Sequence, residues 1–189
     1  MMTETQIKEL WKQALNETRL QGDPIIVFAK LIQSNSIELT FDQKIETLQE
    51  PNCSLKLLLK LADDEDGDVR FCVAKHPNCS PKLLVKLAND EDSYVRYCVA
   101  RHPNCPIPIL EKLSNDEDSD VRSSVADHSK CPIPILEKLA NDDDSDVRSG
   151  VAEHSNCPIS ILEKLSNDED SYVRNYAKQN PNYSKGVKV

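Results

Sequence analysis

The sequence predicts an all-α solenoid, and three observations carry that reading. Residues 51 to 180 repeat with a 26-residue period and no gap. Each period holds two short segments with apolar residues at helical spacing. No segment alternates apolar and polar residues as a half-buried strand would. From Pro51 the five repeats read PNCSLKLLLKLADDEDGDVRFCVAKH, PNCSPKLLVKLANDEDSYVRYCVARH, PNCPIPILEKLSNDEDSDVRSSVADH, SKCPIPILEKLANDDDSDVRSGVAEH and SNCPISILEKLSNDEDSYVRNYAKQN. Self-similarity at such a period marks a stack in which each repeat buries its apolar face only against its neighbours. With Pro51 as place 1 and His76 as place 26, equivalent residues share a place number.

Residues 1–50 read as an N-terminal helical cap. Ile7, Leu10, Trp11 and Ala14 form one helical stripe, and Asp23 with Pro24 can start a second helix through IIVFAKLIQ. Thr40 and Gln43 make a capping box for a third, FDQKIETLQE. Within a repeat, SPKLLVKLAN offers a capping serine, a proline suited to the first helical position, and Leu83, Leu84 and Leu87 on one face. Asn89, Asn115, Asn141 and Asn167 mark its end, because asparagine tolerates the left-handed conformation that terminates helices. Asp66, Asp92, Asp118, Asp144 and Asp170 are N-caps for a second helix that buries Val95, Val99 and their equivalents. In the fifth repeat Lys178 replaces the alanine of Ala74, Ala100, Ala126 and Ala152, and Tyr183 stands where the next cysteine would fall. The array is therefore expected to end at 180, with 181–189 a tail frayed over 184–189.

Composition excludes several functions. With 32 acidic and 23 basic side chains the net charge is -9, which repels phosphate backbones and anionic lipid. Nucleic acid is not an expected partner. Residues 1–20 carry charges throughout and do not read as a signal peptide, and no run approaches the roughly 20 apolar residues of a membrane span. The 7 cysteines are odd in number and form no CxxC pair, so they read as reduced thiols of a monomeric, cytoplasmic protein.

The residues that suggest chemistry recur in every repeat. Asp116, Asp118 and Asp120 alternate like the start of a calcium loop, but its sixth place is Val121 rather than glycine and a helix must begin inside it. Arg70, Arg96, Arg122, Arg148 and Arg174 lie four residues after a capping aspartate, and a ladder of ion pairs between repeats is their expected role. His76, His102, His128 and His154 share place 26 with Asn180, which favours a helix-end role satisfying carbonyls, with an imidazolium suited to the negative helix end. Cys53, Cys79, Cys105, Cys131 and Cys157 form a column of small packing residues. Columns of identical residues about 8–10 Å apart cannot converge on one metal ion or pair as disulfides. Neither a catalytic group nor a resident cofactor or metal is expected.

The pattern D-x-x-VR-x-x-VA-x-H/N-x-x-C-P-x-x-x-L-x-x-L, over residues 51–180, resembles the leucine-rich repeat variant, a relative of HEAT and armadillo arrays. The resemblance implies a right-handed superhelix in which one helix per repeat is α and the other tends toward 3₁₀, and it implies protein binding. One type of member carries an iron-sulfur cluster in a cysteine-rich segment before the repeats, and residues 1–50 here contain no cysteine. Function is then expected where exposed positions differ between repeats. Places 18, 21, 22 and 25 share one face of the second helix, reading Asp68, Phe71, Cys72, Lys75, then Tyr94, Tyr97, Cys98, Arg101, then Asp120, Ser123, Ser124, Asp127, then Asp146, Ser149, Gly150, Glu153. This surface changes from aromatic and basic to small and acidic. Phe71, Lys75, Tyr94, Tyr97, Arg101, Asp127 and Glu153 are the expected contacts of a protein or peptide partner on a non-enzymatic scaffold. The alternatives are a HEAT-like subunit of a cofactor-handling enzyme of the bilin-lyase type, or an iron-sulfur or metal-binding repeat protein.

Overall fold

A computed structural model describes residues 39–186 of the chain, and the side chains of residues 39–184. The helices expected from Ile7 to Ala14 and through IIVFAKLIQ lie outside the described residues. Within them the chain forms α1 (Phe41–Gln49), α2 (Leu55–Leu61), α3 (Gly67–Lys75), α4 (Pro81–Leu87), α5 (Ser93–Arg101), α6 (Ile107–Leu113), α7 (Ser119–Ala126), α8 (Ile133–Leu139), α9 (Ser145–Glu153), α10 (Ile159–Leu165), α11 (Ser171–Gln179) and α12 (Pro181–Gly186), with no strand. The repeated helix pairs pack in sequence order, which makes the fold an α-solenoid.

Two compact parts are present, one ending at Ser80 and one beginning at Pro81. In the first, α3 packs on both α1 and α2. In the second, α5, α7, α9 and α11 stack one on the next, and each first helix leans on second helices, α6 on α5 and α7, α8 on α7 and α9, α10 on α9 and α11. The core is repetitive in the same sense: Leu58, Leu84, Leu110, Leu136 and Leu162 at place 8, and Val69, Val95, Val121, Val147 and Val173 at place 19, are all 0% exposed. Burying a leucine or valine side chain is worth roughly 1.5–3 kcal/mol, so each repeat draws its stability from these columns.

Local signals account for most of the helix ends. Each place-16 aspartate is the N-cap of a second helix and accepts the backbone N–H two residues on, as Asp118 does from Asp120 at 2.9 Å. Ser54 caps α2 through the Leu57 N–H, whereas Pro106, Pro132 and Pro158 precede α6, α8 and α10 without a side-chain cap. The asparagines at place 13 close the first helices by a different device from the one expected: Nδ2 of Asn89, Asn115, Asn141 and Asn167 donates to the carbonyl four residues back. The expectation of a 3₁₀ helix in each repeat is not met, since both helices of every described repeat are α.

The ends of the array differ from the expectation in two respects. Thr40, Lys44 and Glu50 fall at places 16, 20 and 26 of a repeat that would begin at residue 25. Thr40 caps α1 in the expected box with Gln43, Lys44 Nζ sits 2.7 Å from Asp64, and the Glu50 carbonyl is 2.9 Å from His76 Nε2. Over residues 39–50 the cap is thus the second half of a degenerate repeat. At the other end residues 184–186, expected to fray, belong to α12, which packs on α10 and α11. Ala177 is buried and Lys178 is exposed.

Candidate functional site

Four columns of polar side chains hold neighbouring repeats together. The first is arginine to aspartate. Nε and Nη2 of Arg96, Arg122 and Arg148 donate to the two carboxylate oxygens of Asp116, Asp142 and Asp168 in the following repeat, all at 2.8 to 2.9 Å. Nη1 of each donates to two carbonyls of its own turn, for example Asp116 and Glu117 for Arg122, at 2.9 and 3.2 Å. The partner is the place-14 aspartate of the next repeat and not the capping aspartate of the same helix. Arg148 holds the Asp168 carboxyl below the usual carboxylate range; for Asp116 and Asp142 burial pushes upward, but the guanidinium of Arg96 or Arg122 together with the backbone N–H of Asp118 or Asp144 outweighs it and the net shift is down.

The second column is place 26. Nδ1 of His76, His102, His128 and His154 accepts the backbone N–H two residues on, at 3.0 to 3.1 Å. The proton therefore sits on Nε2, which in His128 and His154 donates to the carbonyl of His102 and His128 at 3.2 Å. These rings are neutral, not the imidazolium expected from the helix end. Asn180 reproduces the pattern, with Oδ1 accepting from the Asn182 N–H at 2.9 Å and Nδ2 donating to the His154 carbonyl at 3.1 Å. That isosterism explains the exchange of asparagine for histidine. A second proton on Nδ1 would remove an acceptor, and burial pushes the His128 pKa down, only partly offset by its bond to the His102 carbonyl. Its contribution to stability is complete above the unfolded value of about 6.5 and is lost as pH falls through the lower folded value. His128→Asn is expected to fold with little loss at pH 7.5 and to flatten the pH dependence of stability as pH falls below about 6.5. Urea unfolding across that range checks this.

Sequence reasoning missed the other two columns, although the constancy of lysine at place 10 signalled one of them. Nζ of Lys112, Lys138 and Lys164 donates to the carbonyl that ends the preceding first helix, at Ala88, Ser114 and Ala140, where a cation suits the negative helix end. Place-2 side chains reach back to the place-1 carbonyl: Asn78 to Pro51, Lys130 to Pro103 and Asn182 to Ser155, at 2.6 to 2.8 Å.

The stack also engages residues whose types suggest chemistry. Asp116 is held by Arg96 and Asp118 caps α7, so two of the three alternating aspartates are engaged by the fold itself, and Asp120 is exposed. The cysteine column is buried, and burial raises the Cys79, Cys131 and Cys157 thiols to about 12, far from a reactive thiolate. Among the described residues no three His, Cys, Asp or Glu side chains converge as metal ligands, and no helix is long and apolar enough to cross a membrane.

The varying face is narrower than expected. Place 22 is mostly off it: Cys98, Ser124 and Gly150 are buried, Gly150 against the preceding second helix, while Cys72 is half-buried. A Cβ on Gly150 would meet Asp127 Oδ1 at 2.8 Å, so the glycine makes room for that carboxylate. Place 18 is the prominent one, with Tyr94 70% exposed. Tyr97 is half-buried, with the Arg101 guanidinium 5.5 Å from its ring centroid. In the first part, half-buried Phe71 carries Lys75 over its ring at 6.0 Å. Asp127 and Glu153 are exposed, and Asp127 lies 3.9 Å from Arg101, so the basic and acidic residues at place 25 partly answer one another. The expected one-way gradient is also corrected by the fifth repeat, where place 18 is again a tyrosine, Tyr172, at 72% exposure.

A stack of short helix pairs joined by recurrent side chains defines a helical-repeat protein of the α-solenoid class. A structure search supports that class: the chain is similar to the solved structure of a leucine-rich repeat variant described as having a novel repetitive protein structural motif, with 24% identity, 95% of this chain and 77% of that chain covered, and a TM-score of 0.67. No protein-family model matches the sequence, and the search of curated proteins finds no match.

Proposed function

We propose that the chain is a non-enzymatic scaffold that binds another protein along the exposed second-helix face of its second part. The observation that carries this reading is the pair Tyr94 and Tyr172, each more than two-thirds exposed. A tyrosine offers a large, amphipathic contact at low entropic cost, and such residues dominate interface energetics. The two stand three repeats apart on α5 and α11, or roughly 25–30 Å at about 8–10 Å per stacked helix. The repeats in between present Asp120, Asp146, Asp127 and Glu153, all exposed. An extended partner segment with apolar groups near its ends and basic residues in its middle matches this order, with Tyr97 and Arg101 adding an aromatic-cation pair at one end. The engagement of the recurrent carboxylates, arginines, histidines and thiols in the stack supports binding rather than catalysis. Cytoplasmic location and a monomeric state belong to the same proposal.

The test is quantitative capture with the full chain as bait. Tyr94→Ser/Tyr172→Ser is expected to lose a partner that wild type and Glu111→Ser/Glu137→Ser both retain, with unchanged circular dichroism and a loss of at least about thirtyfold in affinity for a true anchor residue. Equal retention by all three baits would place the binding surface elsewhere.

A further inference from the structure

We infer that the partner segment is a polyproline II helix with lysine or arginine at two successive third positions and proline one turn beyond each; this rests on the tyrosine face being the binding surface. Tyr94, Asp120, Asp146 and Tyr172 share place 18 on α5, α7, α9 and α11, and all four are exposed. Those helices stack one on the next, so the four side chains form a row with a step of about 8–10 Å. An occupant that meets all four must present one side chain to the row at the same step. A polyproline II helix returns a side chain to one edge about every 9.3 Å. A strand does not, because its side chains alternate faces and its same-face steps are roughly 6.6 and 13 Å. An α-helix shows the wrong face at about 9 Å, and its nearest same-face step, roughly 10.5 Å, drifts and overshoots along the row.

The side chains of the row specify the sequence of the occupant. Among the described residues no cation pairs with Asp120 or Asp146, so a lysine or arginine belongs opposite each. Tyr94 and Tyr172, 70% and 72% exposed, each take a proline ring, the contact by which aromatic surfaces recognise this helix. A polyproline II helix has no internal hydrogen bonds and leaves its carbonyls open. One turn along the second helices, at place 21, the hydroxyls of Ser123 and Ser149 and the Nδ2 of Asn175 stand beside the row as donors for them. A segment already extended before it binds also loses little chain freedom on docking.

The test titrates the intact chain with acetyl-PPPKPPKPPPP-amide and follows backbone amides by NMR. Saturable shifts are expected around place 18 of α5, α7, α9 and α11. Acetyl-PPPPKKPPPPP-amide, of the same composition but with one lysine turned off the row, is expected to bind about threefold more weakly, and acetyl-GGGKGGKGGGG-amide at least about tenfold more weakly. Asp120→Asn/Asp146→Asn is expected to erase the difference between the two proline peptides, whereas Glu111→Gln/Glu137→Gln, which removes the same charge from the first helices, preserves it. No saturable shift, or equal binding of the proline and glycine peptides, would overturn the conformation. Equal binding of the two proline peptides by wild type would overturn the period, a comparison that stands even if a variant folds poorly. The two readings fail separately. Loss of the captured partner by Tyr94→Ser/Tyr172→Ser without any binding of the proline probe keeps the surface and removes the polyproline helix; probe binding that the same variant leaves unchanged removes both.

Discussion

Leu113→Ala is expected to destabilise the array by about 2–5 kcal/mol, the range for truncating a core leucine and leaving a cavity. Leu113 is 1% exposed and closes α6 against the second helices α5 and α7. Two residues earlier Glu111 is exposed, and Glu111→Ala is expected to change stability by less than about 0.5 kcal/mol. Urea unfolding followed by circular dichroism separates the two. Similar effects at both sites would put the phase of the first helix in error and, with it, the assignment of the whole place-11 column.

Arg122→Ala is expected to cost as much, about 3–5 kcal/mol, because it strands the Asp142 carboxylate in a site where that side chain is only 8% exposed. The double variant Arg122→Met/Asp142→Asn is expected to recover part of that loss, since the charge is gone while an oxygen remains to accept the Asp144 N–H. The sign of the pH effect follows from the depressed carboxyls of Asp116, Asp142 and Asp168. Their contribution is complete above the unfolded value of about 4 and drains away as pH falls through the lower folded values. Wild type is therefore expected to lose stability on acidification below about pH 4 more steeply than the double variant, as urea titrations at fixed pH would show.

The period, the helix pairs and the capping aspartates were legible because each is a local property, readable from spacing and side-chain type. Partner choice across repeats was less so. Arg122 lies four residues from Asp118 and twenty from Asp142, and spacing alone favours the nearer; the stack selects the farther, since only that carboxylate meets the guanidinium edge squarely. The neutral state of the place-26 ring was hidden for a similar reason, because it depends on a backbone N–H that the loop brings to Nδ1. The misplacement of Ser124 on the exposed face has a geometric cause. Helical periodicity puts places 18, 21, 22 and 25 together, but the preceding second helix covers the edge of that stripe, as the atoms of Ser123, Ala126 and Asp127 around Gly150 show, and Ser124 is 1% exposed. Tyr172 shares place 18 with Tyr94 and is legible from its place number alone.

The four columns share a directional habit. Lysine, histidine and the place-2 residue donate backward to carbonyls of the preceding repeat, while arginine donates forward to the next aspartate. Each of these rungs joins nearest neighbours through the same kinds of donor and acceptor, so the joints themselves do not tell one repeat from the next. Such a chain behaves as a one-dimensional lattice. Its length can change by whole periods of 26 residues without any rung meeting a foreign partner, whereas a shift of even one residue would misalign all four columns together. For a binding surface this works as a measuring rod: gaining or losing a period beyond Asp120 or Asp146 would move Tyr172 away from or toward Tyr94 by about one helix width, resetting the partner length it accepts while the joints stay as they were.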